Sequence, residues 1–499
     1  MAYLGLDIGT TTCKATVMGK DGGVISSAQA EYDLIMPKAG YIELNGDVIW
    51  RSVQAVIKKA AAASAEPVSA IATASFGEAF VPLDENGRVL GNSIIFSDIR
   101  GTDEVGDILE KFTEAEIYGI AGVPINTIYS LNKLLWLKKN QRELYDSAKM
   151  FPLYCDFIAY RLSGERKLDY SLASRSMMLD YRTHKWSDTI MDAFGIDKAK
   201  FSEPVQSGTV VGTVLPSVAA ELGLPAGVLL VAGGHDQICA ALGAGVLNRG
   251  DSVDGIGTAE CLTVMLRDLD NMDVMRRNNF CIEPYAVAGE YVTLGFSNTA
   301  GAVLKWYRNT IERERWQAAS QAGADIYAIM ESECPEGPTD LLVQPHFAGS
   351  GTPYMDSGSV GALVGLKLST TRGDIYKACI EGNCFEMMLN AELLEQCGTR
   401  VSSVTCAGGG SRSAMQLQIK ADIMGLPVKK LKVLESGTVA LGMLCAVACG
   451  DYPSLKDAAA QFVGIERTFE PDAKKHEIYM EKYQAYKRMY PGIKQIGLV

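Results

Sequence analysis

Two short runs of this sequence combine a carboxylate, glycine and threonine in the arrangement a phosphate clamp requires. One is Asp7-Ile8-Gly9-Thr10-Thr11-Thr12-Cys13, followed by Thr16-Val17-Met18. The other is Asp254-Gly255-Ile256-Gly257-Thr258-Ala259-Glu260-Cys261, followed by Thr263-Val264-Met265. Each follows an apolar, strand-like run and leads into another, so each reads as a hairpin closed by a Gly-Thr turn. Without a Cβ, glycine lets backbone N–H groups come close to phosphate oxygens. Gly9, Thr10, Thr11, Gly257 and Thr258 are therefore candidate nucleotide contacts. Threonine is also an ordinary strand residue; it is the pairing that lifts Thr10 and Thr258 above that background. Asp7, at the end of a buried strand and just before the turn, suits a magnesium-water ligand. A turn-capping aspartate is the plainer alternative, and the second clamp favours the magnesium role.

Two further glycine runs end strands and open helices. Gly233-Gly234-His235-Asp236-Gln237 follows the strand Val228–Ala232 and precedes an alanine-rich helix over Ile238–Leu242. Asp236 there is either an N-cap or a catalytic base, fixed by backbone and open to a cleft. Gln237 offers a donor and an acceptor to a hydroxylated substrate, and His235 is expected to support the turn. Ala407-Gly408-Gly409-Gly410-Ser411-Arg412-Ser413 follows the strand Ser403–Ala407, and Gly408, Gly409, Gly410 and Arg412 are candidate contacts for a ribose or flat ring. No full GxGxxG, Walker A lysine or HRD loop occurs, which argues against Rossmann, P-loop and protein-kinase chemistry. Glu78, Phe96 and Asp98, with Arg100, combine carboxylates and an aromatic ring in a way that suits a sugar or polyol. A surface salt bridge between Asp98 and Arg100 is the alternative.

The elements that must position these residues follow an α/β order. Strands Tyr3–Asp7, Cys13–Met18 and Val24–Ala30 precede a helix from Val48 to Ala63, capped by Asp47, and then the strand Val68–Ala74. The second half repeats the logic: a strand Tyr291–Phe296, a helix from about Asn298 to Asn309, and helices Arg372–Gln396 and Arg412–Met424 around Ser403–Ala407. Glycines between Gly243 and Asp251 mark the boundary, giving domains 1–246 and 247–499. The chain of 499 residues has room for two cores. Its net charge of −12 argues against a general nucleic-acid or acidic-membrane binder. Asp7 interrupts the apolar start, so no signal peptide is read, and a cytoplasmic protein is expected. The 12 scattered cysteines, without a CxxC pair, are expected to be reduced core thiols.

Taken together, Asp7-x-Gly-Thr, Gly234-His-Asp236-Gln237, Gly257-Thr258 and Ala407-Gly408-Gly409-Gly410 resemble the motifs of the FGGY carbohydrate kinases. Gly349-Ser-Gly-Thr352-Pro353-Tyr, Gly361-Ala-Leu-Val-Gly-Leu, Thr371-Arg372 and Glu381-Gly382 continue the likeness nearly end to end. The resemblance implies two actin-like (ribonuclease H-like) ATPase domains around an interdomain cleft, with sugar mainly on the first and ATP mainly on the second. It implies Asp236 as general base toward a substrate hydroxyl, with Mg2+ at Asp7 and Asp236. The helix Val439–Cys449, after Ser436-Gly437-Thr438, is expected to line the interdomain side. Family members often form dimers, so a homodimer is the corresponding expectation. D-xylulose kinases of the family usually carry Met-His at the positions of Gly77-Glu78; glycerol kinases carry Arg-Glu there and tryptophan at Phe96. This chain departs from both. A ketopentose is the leading expectation, with another polyol or an aldonate as alternatives. An actin- or chaperone-like switch ATPase is the rival from another class, and a sugar-binding regulator without phosphotransfer is a third reading.

Overall fold

The computed structural model describes residues 1–497 as two compact units. The first comprises Met1–Leu247, Cys281–Val292 and Glu435–Val463; the second comprises Asn248–Phe280, Thr293–Leu434 and Gly464–Val499. Neither is contiguous in sequence.

In the first unit a six-stranded sheet runs in the order Val210–Thr213, Leu229–His235, Val68–Ser75, Ala2–Ile8, Thr12–Met18, Val24–Glu31. The three strands Leu229–His235, Val68–Ser75 and Ala2–Ile8 are mutually parallel, whereas Thr12–Met18 pairs antiparallel with Ala2–Ile8 and Val24–Glu31 pairs antiparallel with Thr12–Met18. The parallel strands are apolar on both faces because helices cover them. The helix Gly46–Ala62 packs on the antiparallel strands Thr12–Met18 and Val24–Glu31 and buries Ile49, Val53, Val56, Ile57 and Ala60 at helical spacing. Burying each larger side chain there is worth about 1.5–3 kcal/mol. Its cap is Asn45, whose side chain accepts from Asp47 N and Val48 N, and not Asp47 as the sequence suggested. Asp47 instead lies in the first turn, where a carboxylate complements the helix dipole.

One cover of the parallel strands comes from late in the chain. Helix Ser436–Ala448 is apolar almost all round and packs within the first unit on the strands Ala2–Ile8 and Val68–Ser75 and on the helix Asp236–Gly243. It begins three residues earlier than expected. At its closest approach a Cβ on Gly243 would lie 1.7 Å from Ser436 O, so only glycine permits this contact.

A second sheet repeats the strand order. Tyr291–Ser297, Glu260–Met265, Asp251–Ile256, Ser403–Ala407, Val428–Leu431 and Ile465–Phe469 lie side by side. Asp251–Ile256, Ser403–Ala407 and Val428–Leu431 are parallel, with an antiparallel hairpin partner on one side and an antiparallel edge on the other. The duplication inferred from the clamps thus extends to topology. The 25-residue helix Arg372–Gln396 starts at a capping box of Thr371 and Asp374 and is buried along most of its length. Two helices start later than expected: Gly301–Thr310, and Ala414–Met424, where a 3-10 turn at Gly409–Arg412 intervenes. Beneath the second clamp, Lys420 donates to both Asp254 and Glu260, all three buried.

Candidate active site

Parallel strands end together, and the register of the first unit brings its chemistry to those ends. Asp7 and Gly234 flank the same residue, Ala74, from opposite sides. Two strand spacings place their backbones about 10 Å apart, with Asp236 two residues beyond Gly234. The strand Leu229–His235 runs further than the sequence suggested, so Asp236 is the first residue of the helix Asp236–Gly243. It is not the N-cap: that position belongs to His235, which makes no side-chain cap bond.

Asp236 keeps 37% of its side chain exposed. Burial, followed by repulsion from Asp7, still pushes its carboxyl up to about 7. Oδ1 accepts from Gln237 N at 2.6 Å, and His235 Nε2 lies 3.2 Å from the same oxygen. Burial, reinforced by Arg175, lowers the His235 imidazole well below its ordinary range and keeps it neutral. Asp7, pushed up to about 6 by burial, makes no side-chain hydrogen bond or ion pair to any described residue. Lys14, opposite Asp7 across the hairpin, pairs with Glu435. At the first turn Gly9 N donates to Thr12 O at 2.8 Å, closing it around the exposed Thr11 and half-buried Thr10.

The loop after Val68–Ser75 carries Glu78 in the left-handed region at φ 69°, which disfavours any residue but glycine. An arginine fixes it there. Arg175 donates from Nε (2.6 Å) and Nη2 to Glu78 Oε1, and from Nη1 to Glu283 Oε1 at 2.7 Å. This geometry is that of ionised carboxylates. Burial raises the Glu78 carboxyl while Arg175 opposes it; burial works against the guanidinium's charge, and the two glutamates outweigh that. Gly77 makes room: a Cβ there would meet Arg175 Cγ at 3.0 Å and His235 Cδ2 at 3.4 Å.

One five-residue helix, Tyr170–Ser174, ties these parts together. Its cap Asp169 accepts from Ser171 Oγ at 2.6 Å, and Ser171 Oγ accepts from His235 N at 2.9 Å. Its other end delivers Arg175. None of Arg175, Glu283, Asp169 or Ser171 was singled out by sequence reasoning, since each is an ordinary polar residue until the chain brings it to the sheet ends. Glu283 is separated from Glu78 by 205 residues, and no local pattern signals the pairing.

Asp98 and Arg100 form no surface salt bridge. Asp98 is buried and accepts from Arg100 N, Nε and Nη2 and from Ile42 N; Arg100 Nη1 also reaches Glu43 at 2.7 Å. Both Asp98 oxygens are thereby engaged within the protein. Phe96 is 38% exposed.

In the second unit the glycine run lies against the clamp. Gly408 adopts φ 81°, and Cβ atoms on Gly408 and Gly410 would strike Ile256, whereas Gly409 faces open space. Gly257 O and Thr258 O accept from the backbone N–H groups of residues 300–302, where the helix Gly301–Thr310 begins. Gly257, Thr258 and Arg412 are exposed.

Residues 2–243 match the N-terminal domain of the FGGY family of carbohydrate kinases, and residues 255–449 match the C-terminal domain of that family. The chain belongs to the FGGY carbohydrate kinases. It is an ATP-dependent sugar phosphotransferase. A xylulose kinase of Bacillus subtilis is 29% identical over 497 residues, covering 99% of this chain and 97% of the relative. An autoinducer-2 kinase of Klebsiella pneumoniae is 27% identical, covering 100% and 95%. The crystal structure of a xylulose kinase from Rhodospirillum rubrum superposes with TM-score 0.90 at 24% identity, covering 99% of both chains. The fold is therefore the two-domain, actin-like (ribonuclease H-like) α/β architecture of these kinases. Among the described residues no helix is long and apolar enough to cross a membrane.

Proposed function

We propose that this kinase phosphorylates a ketopentose or a closely related polyol, with Asp236 as the general base. The observation that carries this reading is Asp236 itself: a partly open carboxylate at the sheet ends, pushed up to about 7, with the neutral His235 ring 3.2 Å from one oxygen. A base poised near neutrality accepts a hydroxyl proton readily and remains ionised often enough to do so. Glu78, held by Arg175, and Gln237 would orient the sugar, while Asp98 would act through Arg100 and the loop around it.

The residues present fit the nucleotide and metal that such a reaction uses. Asp7 offers a carboxylate with no protein partner, and burial raises its cost of ionisation, which a cation would relieve. Among the described residues no cluster of three or more His, Cys, Asp or Glu forms a closed metal cage. Mg2+ needs none, since it binds through one or two carboxylates, waters and phosphates. Asp7, with Asp236, would hold it; Gly9, Thr10, Thr11, Gly257 and Thr258 would take the phosphates, and Gly408–Gly410 with Arg412 the nucleoside. Bound there, Mg-ATP is the phosphoryl donor. The chain's own part is to position the hydroxyl, accept its proton at Asp236 and hold the donor in line. A cytoplasmic homodimer is the setting we propose for this activity.

One observation favours a substrate other than D-xylulose. Met-His, usual in D-xylulose kinases, is replaced by Gly77-Glu78, and the Arg175 side chain occupies the space beside Gly77. The test is ADP release with Mg-ATP across ketoses, polyols and aldonates. Strong stimulation by one ketopentose or polyol is expected; sugar-independent hydrolysis would overturn the proposal.

A further inference from the structure

We infer that Glu283 is a specificity determinant: through Arg175 it gives the sugar site an excess negative charge that selects uncharged, hydroxyl-donating substrates over aldonates. The inference rests on the reading that Glu78 faces the sugar.

Glu283 comes from the short strand Glu283–Pro284, which belongs to the first unit and contacts the helix Tyr170–Ser174. Its side chain is wholly buried. Arg175 lies between Glu78 and Glu283, with Tyr129's ring 5.0 Å away, so one cation faces two carboxylates. The other charged groups nearby do not redress the balance. Lys133 Nζ is turned to the carbonyls of Asp98 and Arg100, and Arg100 is shared between Asp98 and Glu43.

A buried oxygen beside Arg175 points the same way: Glu283 Oε2 has no hydrogen-bond partner among the described residues, so Arg175 alone offsets its charge. A polyol or ketose brings no charge into this field, whereas an aldonate carboxylate is repelled by it. At an effective dielectric of about 20, a carboxylate about 7 Å from one excess charge is disfavoured by roughly tenfold to a hundredfold.

The test is calorimetric binding without nucleotide, using four- to six-carbon ketoses and polyols against aldonates of the same chain length. The wild type is expected to bind at least one neutral compound tenfold or more tightly than its matched aldonate. E283Q should narrow that ratio about tenfold, and E283D should preserve it. A folded E283Q with an unchanged ratio overturns the inference. Should E283Q not fold, the wild type decides: an aldonate bound as tightly as its matched polyol overturns it. E78Q separates the two layers. If it leaves neutral-sugar binding intact, or if the wild type binds nothing in the panel, the reading of the site falls. If E78Q weakens binding while the E283Q ratio stays fixed, only the role of Glu283 falls.

Discussion

Replacing Asp236 by asparagine keeps shape and removes the ability to take a proton. With its carboxyl pushed up to about 7, Asp236 is about one-tenth ionised at pH 6 and about nine-tenths at pH 8. The wild-type kcat/KM should therefore rise about tenfold per unit below pH 7 and level off above it. Asp236→Asn should lose roughly two to four orders of magnitude in kcat, the scale of general-base removal, and the acid limb should vanish with it. Stability should move oppositely. A carboxyl whose folded value is raised from 3.8 to about 7 binds its proton more tightly when folded, so between those values stability falls as pH rises. That penalty is complete above pH 7 and absent below about 4. Asparagine escapes it, so the melting temperature of the variant should gain on the wild type between pH 5 and pH 8. Because 37% of the side chain reaches water, the gain is smaller than the full shift implies. The assay is coupled ADP release from pH 5.5 to 8.5, with thermal melts at both ends. Near-normal kcat, an acid limb that survives in the variant, or a stability difference of opposite sign would refute the assignment.

Two further substitutions probe what holds the site and its companion clamp. Ser171→Ala leaves His235 N–H buried without an acceptor, at a cost of about 1–3 kcal/mol. Since that hydrogen bond fixes the strand end before Asp236, steady-state kinetics should show kcat falling several-fold with sugar KM within about twofold; the opposite split would place its effect on sugar binding. Lys420→Met strands Asp254 and Glu260 together in the interior of the second unit. Losing one partner of a buried ion cluster costs roughly 3–5 kcal/mol, so urea unfolding should begin at markedly lower concentration; a change under about 1 kcal/mol would show the cluster to be dispensable.

The sequence by itself determined the parts whose physics is local. The Gly-Thr turns at Gly9 and Gly257 sit in hairpins because apolar, strand-like runs flank them on both sides. The helix Arg372–Gln396 and the strand Ser403–Ala407 have the bounds the sequence suggested. Asp236 was legible because a strand, two glycines and a helix start place one carboxylate at a junction. Boundaries next to side-chain competition were less legible: Asn45 and Asp47 are both good caps, and the Asn45 side chain reaches two free N–H groups. Only the tertiary structure decided what surrounds the base. The register sets Asp7 and Gly234 on opposite sides of Ala74, and Glu78, Arg175 and Glu283 meet from three distant segments. Helix Ser436–Ala448 packs with the first unit although it follows most of the second in sequence. Such contacts depend on burial and charge pairing across hundreds of residues, and no spacing within a single segment encodes them.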